Sequence, residues 1–478
     1  MSNVSNALSQ YSELGVSSLE VSNSGPIVSL FGADIDRAIS LFFKFNNVVF
    51  IADGQKESEI IAETVNKICG GASGQVPRKP FQLDAKQFIK ACGDQSAVRL
   101  EEILGLLENE REKILLVITS LEEFAKDERL EKLLKHIIQK SSVPILGTTT
   151  IGGFRQLEKK PDLAGCLQFI LCEKMPGMIK RDKSVLIIGA TSLLGSAVFH
   201  LFGQEYELVR GTGFSKASAS GFDKLDVTSE DEIRKYFSEH PDFDIVVYIA
   251  GEADADLAEK ERDRARVLNI DAVTSLSHYA KNCKFVYISS EYVFDGSSGP
   301  YGSGSRAEPI NYYGCTKFEG EKASLNNFSD VLVVRLGALY GYNGPSDKKT
   351  SVSKIIADLG KDEAFEADNV QIKHPILLED AARTLLKLLD YGATGIYQAN
   401  GPEGLSKQEM AERIAVVRNE LTGCIFPYSI VGIEQKGSAA KPFNTHMVNV
   451  DTPRPFNEGV RFMLLKQKIS KKRDNHED

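Results

Sequence analysis

Short apolar runs alternate with stretches of helical periodicity along nearly the whole chain, the pattern of parallel α/β sheets covered on both faces. In the first part, Pro26–Gly32, Val48–Ala52 (VVFIA), Ile114–Thr119 (ILLVIT), Pro144–Gly147 and Leu167–Cys172 read as strands. Between them, Asp34–Phe45, Glu57–Cys69 and Ala97–Lys113 carry apolar residues at helical spacing, and Leu121–Lys140 reads as one long charged helix. A second series starts at Ser184, with strands at Ser184–Ala190, Tyr206–Val209, Leu225–Thr228, Asp244–Gly251 and Lys284–Ser290. The expected fold class is α/β throughout.

Punctuation between the two series sets the expected domain limits. The Ser- and Asn-rich start, residues 1–24, reads as a flexible tail, and 25–172 as an N-terminal α/β domain. Pro, Gly and charge at 173–183 mark a linker, 184–465 is the second domain, and 466–478 is a charged tail. The length of 478 residues, too great for one ordinary core, agrees with two domains.

Composition narrows the function classes. A net charge of -9 repels phosphate backbones, which argues against nucleic acid as a partner. The 7 cysteines are scattered without C-x-x-C and the 7 histidines lack ligand spacing, so reduced thiols and no metal site are expected. No basic start with an apolar run opens the chain, and no apolar stretch approaches the ~20 residues of a membrane span. The expectation is a cytoplasmic protein with no membrane segment.

The first domain has two features of a phosphate-binding ATPase. Ile114–Glu123 (ILLVITSLEE) puts acids where such folds hold a metal, and Pro144–Thr150 supplies a polar strand end. The cradle is missing. Pro26–Gly32 leads into Gly32-Ala33-Asp34-Ile35-Asp36-Arg37, without G-x-x-x-x-G-K-[ST], so phosphates find neither backbone N–H groups nor a lysine. The domain therefore reads as a non-catalytic unit for docking or assembly, through which a protein partner would bind. Glu122 and Glu123 read as the solvated, acid-favouring start of a helix.

The second domain opens differently. Its first strand runs into Gly189-Ala190-Thr191-Ser192-Leu193-Leu194-Gly195 and then a helix. Such a strand–glycine turn–helix unit aims N–H groups and the positive helix end at a pyrophosphate. Gly189 permits the tight turn and Gly195 the close helix packing. Ser192, where a middle glycine is expected, intrudes with its Cβ. Taken alone, the motif is also compatible with an ordinary βα turn. After the second strand, where an acid would hold the ribose of NAD, stand Ser215 and Lys216, with Arg210 upstream. That chemistry suits the 2′-phosphate of NADP(H). Asp226 ends the third strand beside the expected adenine edge, and Ala250 and Gly251 let a cofactor pass close to the fourth. The expected architecture is a Rossmann-type doubly wound parallel sheet.

The strand Lys284–Ser290 (KFVYISS) ends in Ser289, Ser290 and Glu291, where open parallel sheets bind ligands. Asn311-Tyr312-Tyr313-Gly314-Cys315-Thr316-Lys317 then opens a helix with Tyr313 and Lys317 on one face. A phenol beside an ammonium is a proton-transfer device for a carbonyl that receives hydride, and Ser290 would hold the carbonyl oxygen.

At Ser289–Gly296 (SSEYVFDG), Tyr313-Gly314-Cys315-Thr316-Lys317 and Glu319-Gly320-Glu321 the chain resembles the extended short-chain dehydrogenase/reductases, in particular the dTDP-4-dehydrorhamnose reductases. The regulatory beta subunit of methionine adenosyltransferase belongs to the same group. The resemblance spans about 184–450 and continues through Val331–Gly341, His374-Pro375, Asp380-Ala381-Ala382 and Gly395-Ile396-Tyr397. It implies catalytic positions at Ser290, Tyr313 and Lys317. It implies cofactor-region positions at Gly189, Gly195, Ser215, Lys216, Ala250 and Asn269. A small substrate subdomain is implied in the later third, with Tyr292, Asp295, Arg335 and His374 as candidates. Arg335 also reads as a paired core arginine and His374 as a loop anchor.

Two functions stay open. One is an NADPH-dependent reductase of a nucleotide-activated 4-keto-deoxy sugar or similar ketone. The other is a non-catalytic regulatory or assembly protein that keeps a nucleotide as a structural ligand.

Overall fold

The computed structural model describes residues 11–14, 16–18, 34, 37–39, 41, 44, 47–52, 55–69, 79–108, 114–140, 143–172, 180–214, 221–240, 243–342, 350–359, 365–423, 430–433 and 439–474. Two compact units form. The first is Met1–Pro176 with the strips Gly302–Gly304 and Val448–Thr452; the second is Gly177–Tyr301, Ser305–Met447 and Pro453–Asp478.

The first unit holds, among the described residues, a six-stranded sheet in the order Val16–Ser18, Lys79–Asp84, Ile114–Thr119, Ile145–Thr149, Asn47–Ile51, Gln168–Leu171. Neighbours run parallel except the first pair. Its all-apolar central strands need cover, and the helix Gln55–Cys69 supplies Ile60, Ile61, Val65 and Ile68 to the core under Val48, Phe50, Leu115 and Val117. Asp451, in the second strip, is fully buried, accepts the Leu171 N–H at 3.0 Å and pairs with Arg37.

Several expectations for this unit change. Pro26–Gly32 lies outside the described residues. Val16–Ser18 falls within the stretch expected as a flexible tail, yet pairs antiparallel with Lys79–Asp84 and buries Val16. The expected helix Leu121–Lys140 is two: a 3-10 turn, Leu121–Lys126, and the helix Glu128–Lys140. Asp127 separates them because its backbone is extended and its carboxylate caps the N–H groups of Arg129 and Leu130. Glu122 is not solvated. The turn sinks Leu121 and Phe124 into the core, which presses Glu122 against the Thr149 hydroxyl, whose donated hydrogen bond is 2.8 Å.

The second unit is a Rossmann-type fold. Its seven-stranded sheet has the order Gly395–Ala399, Val331–Leu336, Lys284–Ser290, Ile245–Tyr248, Arg181–Ile188, Tyr206–Gly213, Asp223–Lys224, all parallel. The first strand begins at Arg181, inside the expected linker, where the guanidinium pairs with Glu205 and Asp390 at 2.5 Å each. Two small parallel ribbons, Leu339–Tyr340 with Ile376–Leu377 and Phe365–Asp368 with Ile430–Ile433, accompany a second apolar core around Val352, Ile355, Met410 and Ile414. The helix Phe456–Asp474 runs through most of the expected charged tail, and Lys466 pairs with Glu379 at 2.7 Å. No described helix is long and apolar enough to cross a membrane.

One helix departs from amphipathic habit. Tyr312–Asn327 is capped by Asn311, whose side chain accepts the Gly314 N–H at 2.8 Å. Its buried face is Thr316, Lys317, Gly320, Glu321 and Ser324. Polar groups stay buried only with partners. The partners it finds define the site.

Candidate functional site

The glycine turn is as tight as the sequence suggests. Gly189 has φ +93°, and a Cβ there would lie 2.6 Å from the Ala250 nitrogen. A Cβ on Gly195 would lie 2.1 Å from the Gly189 oxygen. Ser192 turns its hydroxyl back as the cap of Leu193–Glu205, accepting the Gly195 N–H at 3.0 Å. One N–H of that helix end is thereby satisfied internally. Leu194 is buried, while Leu193 opens the helix half-buried. The cradle fits a dinucleotide diphosphate in its backbone and glycines.

Further along, Ser215 and Lys216 lie outside the described residues. Arg210 is engaged by Asp223 at 3.0 Å, which also accepts from the Tyr236 hydroxyl. Asp226 lies just past Asp223–Lys224, and its carboxylate takes the N–H and hydroxyl of Thr228 at 2.9 and 2.7 Å. Ala250 and Gly251 follow Ile245–Tyr248, and a Cβ on Gly251 would lie 2.5 Å from Asn269 Oδ1. Asn269 is fully buried in a π-helical turn. Its amide joins Glu252 (N–H to Oδ1 3.1 Å; Nδ2 to carbonyl 3.2 Å) to the Thr316 hydroxyl (2.8 Å). It positions the fourth strand end against the Tyr312–Asn327 helix.

Ser290, Tyr313 and Lys317 come together around the end of Lys284–Ser290. Ser290 lies beside the Tyr313 phenol, and its hydroxyl accepts the Tyr292 N–H at 3.2 Å. Burial pushes the Tyr313 pKa up to about 12, with the neighbouring Ser290 hydroxyl only partly opposing, so the phenol keeps its proton at neutral pH. Lys317 lies 4.3 Å over the Tyr287 ring. Burial lowers its pKa to about 7, with Glu321 only partly opposing. Tyr287 in turn donates to the Asn269 carbonyl at 3.0 Å.

Beside them, Glu321 is claimed by Arg335 (Nε to Oε1 2.8 Å; Nη2 to Oε2 2.7 Å) and by the Ser289 hydroxyl at 2.5 Å. All three are buried. Arg335 is thus the paired core arginine of the two readings, and Ser289 is bound away from Tyr313.

The substrate candidates divide. The Tyr292 ring meets Tyr313 edge-on, with centroids 5.6 Å apart. Asp295 instead closes its own loop: it accepts from the Tyr301 hydroxyl at 2.5 Å and from Ser297. Burial works against its charge, but these bonds hold the carboxyl below its usual range. His374 is a loop anchor. Its ring nitrogens meet the Gly401 carbonyl at 3.3 Å and Asn444 Oδ1 at 3.1 Å, and it stacks on His446 at 4.8 Å. Burial lowers the pKa of both histidines, His446 to about 4.

Sequence reasoning missed Lys373. Its ammonium donates to the Tyr292 hydroxyl at 2.9 Å and lies 3.4 Å from Glu291 Oε1. It sits in a stretch without periodicity, fixed by an isolated bridge to Leu405, so no pattern marks it.

Residues 183–474 match the family model of the RmlD substrate binding domain. The chain belongs to this family. Methionine adenosyltransferase 2 subunit beta of Xenopus tropicalis is 30% identical over 302 residues, covering 59% of this chain and 87% of the relative. The dTDP-4-dehydrorhamnose reductase of Bacillus anthracis, solved in complex with NADP, superposes with TM-score 0.53 at 24% identity over 60% of this chain and 99% of that one. An orthologue from Clostridium acetobutylicum gives 0.52 at 23%, over 60% and 99%. Both structures share the fold of the RmlD-like region.

Proposed function

We propose that the second unit is an NADPH-dependent reductase of a nucleotide-activated 4-keto-deoxy sugar or a similar ketone. The observation that carries this reading is the convergence of Ser290, Tyr313 and Lys317 at the carboxyl end of the sheet. The tight Gly189–Gly195 turn suits the diphosphate, and the NADP complex of the Bacillus anthracis structure supports the cofactor choice. NADPH bound there supplies a hydride to the carbonyl carbon.

The protein's own residues supply the rest. Ser290 holds the carbonyl oxygen. Tyr313, kept protonated by burial, gives that oxygen its proton, so ketone, hydride and proton yield the alcohol. Lys317, in its charged form, stabilises the phenolate that Tyr313 becomes on giving up its proton. Asn269 keeps the strand end and helix in register.

Tyr313→Phe is expected to lower steady-state NADPH oxidation by about 10²–10⁴-fold, with the protein still folded. Turnover unchanged in that variant refutes the mechanism.

A second reading is favoured by the methionine adenosyltransferase beta-subunit relatives. In it the nucleotide is a structural ligand and the first unit docks a protein partner. Multiple-turnover NADPH oxidation by the purified chain sinks this alternative.

A further inference from the structure

The wall of the site beside Tyr313 carries a second phenol–ammonium pair that the reductase chemistry leaves unused. Lys373 is held in place by its backbone, which exchanges hydrogen bonds with Leu405 at 2.9 and 2.8 Å. Its side chain is 14% exposed, whereas Glu291 behind it is 3% exposed. The ammonium lies 4.2 Å from the Tyr292 ring centre and donates to that ring's hydroxyl. Burial works against its charge, but Glu291 and Tyr292 outweigh burial and hold the pKa above the usual lysine value.

Counting donors shows what this wall wants. An ammonium has three N–H groups. One goes to Tyr292 and one toward Glu291, which leaves one for a ligand. The Tyr292 oxygen already accepts from Lys373, and its own proton has no acceptor among the described residues. Glu291 does not offset this on the ligand side, because its second oxygen, Oε2, is sealed from solvent. The open face of the cluster therefore presents donors only. Apolar substituents gain nothing there, and an oxyanion satisfies both donors at once.

We propose that Lys373 and Tyr292 form an oxyanion subsite that selects the substrate beside Tyr313. Its occupant is an anionic oxygen of the ligand, either a carboxylate on the sugar or a phosphoryl oxygen of the nucleotide. The proposal rests on the reductase reading only in placing the sugar near Tyr313. Lys373 is thereby a specificity-determining residue.

The test is calorimetric binding of UDP, UDP-glucose and UDP-glucuronate to the full chain and its variants, with no turnover required. Lys373→Met is expected to weaken binding about ten- to a hundredfold, and Tyr292→Phe less. Lys373→Arg restores most of it. Loss confined to UDP-glucuronate assigns the subsite to a sugar carboxylate; loss with all three probes assigns it to phosphoryl oxygen. Unaltered binding by a Lys373→Met protein that melts like the wild type overturns the proposal, as does a wild type that binds none of the probes. A wild type that binds them in a Lys373-dependent way yet never oxidises NADPH defeats the reductase reading alone.

Discussion

Each unit buries a glutamate near the carboxyl end of its parallel strands, and the two are satisfied differently. In the first unit Glu122 meets the Thr149 hydroxyl, its one hydrogen-bond partner among the described residues. In the second, Glu321 takes the Ser289 hydroxyl and both arms of Arg335. The geometry is alike: a hydroxyl at a strand end donates to an acid, which comes from an earlier turn in the first unit and from a later helix in the second. The consequence differs. In the second unit the acid's charge is neutralised within the core, and Ser290, one residue beyond Ser289, remains available to Tyr313. In the first, the acid and hydroxyl satisfy each other. The two units thus satisfy a buried acid at similar places in the sheet with different sets of partners.

The largest effect expected from breaking this comparison is at Glu321. Glu321→Ala leaves Arg335 charged and buried without its carboxylate, at a cost of about 3–5 kcal/mol. Glu122→Ala removes a single hydroxyl–carboxylate bond and should cost about 1–2 kcal/mol. Denaturant titration of the two variants gives both values, and equal losses would show that the two acids are not satisfied differently.

Next come the glycines. Gly195→Ala places a Cβ against the Gly189 carbonyl and is expected to cost about 1–3 kcal/mol while abolishing NADPH binding. Gly153→Ala places one 2.3 Å from Thr149 Oγ1 and 2.6 Å from the Glu122 carboxyl carbon. A similar stability loss should follow there with nucleotide affinity intact. Fluorescence titration with NADPH separates the two, and weakened affinity in Gly153→Ala would assign the first unit a part in nucleotide binding.

The last expected effect is a pH signature. The Lys317 pKa, about 7, lies below the ordinary 10.5. Between these values the unfolded chain holds a proton that the folded chain lacks, so this group makes stability rise with pH across that window. Lys317→Met should remove that rise, read by unfolding titrations from pH 7 to 10 without nucleotide. A rise of the same size in the variant would mean that Lys317 is charged in the folded protein.

Much of the fold was legible because burial leaves a mark on sequence. Ser184–Ala190 and Ile114–Thr119 read as buried strands, and both hold one, although the first runs from Arg181 to Ile188 and leaves Gly189 and Ala190 in the turn. Ser290, Tyr313 and Lys317 were legible through strand-end position and helical spacing. The charged residues misled. Asp295, His374 and Arg335 stood in the right region, but a charge looks the same in sequence whether it meets a ligand, closes a loop or pairs in the core.

By itself the amino-acid order determined the alternation of strands and helices and the placing of Ser290 at a strand end and of Tyr313 and Lys317 on one helix face, because each depends on local periodicity or short spacing. Tertiary structure alone decided which polar groups are left over for a ligand. Glu122 lost its solvent, Asn269 gave its amide to Glu252 and Thr316, and Lys373 acquired Tyr292 and Glu291 from 81 and 82 positions away. A hydrogen bond is spent or free only in relation to its neighbours, and those neighbours are brought together by the packing of distant segments.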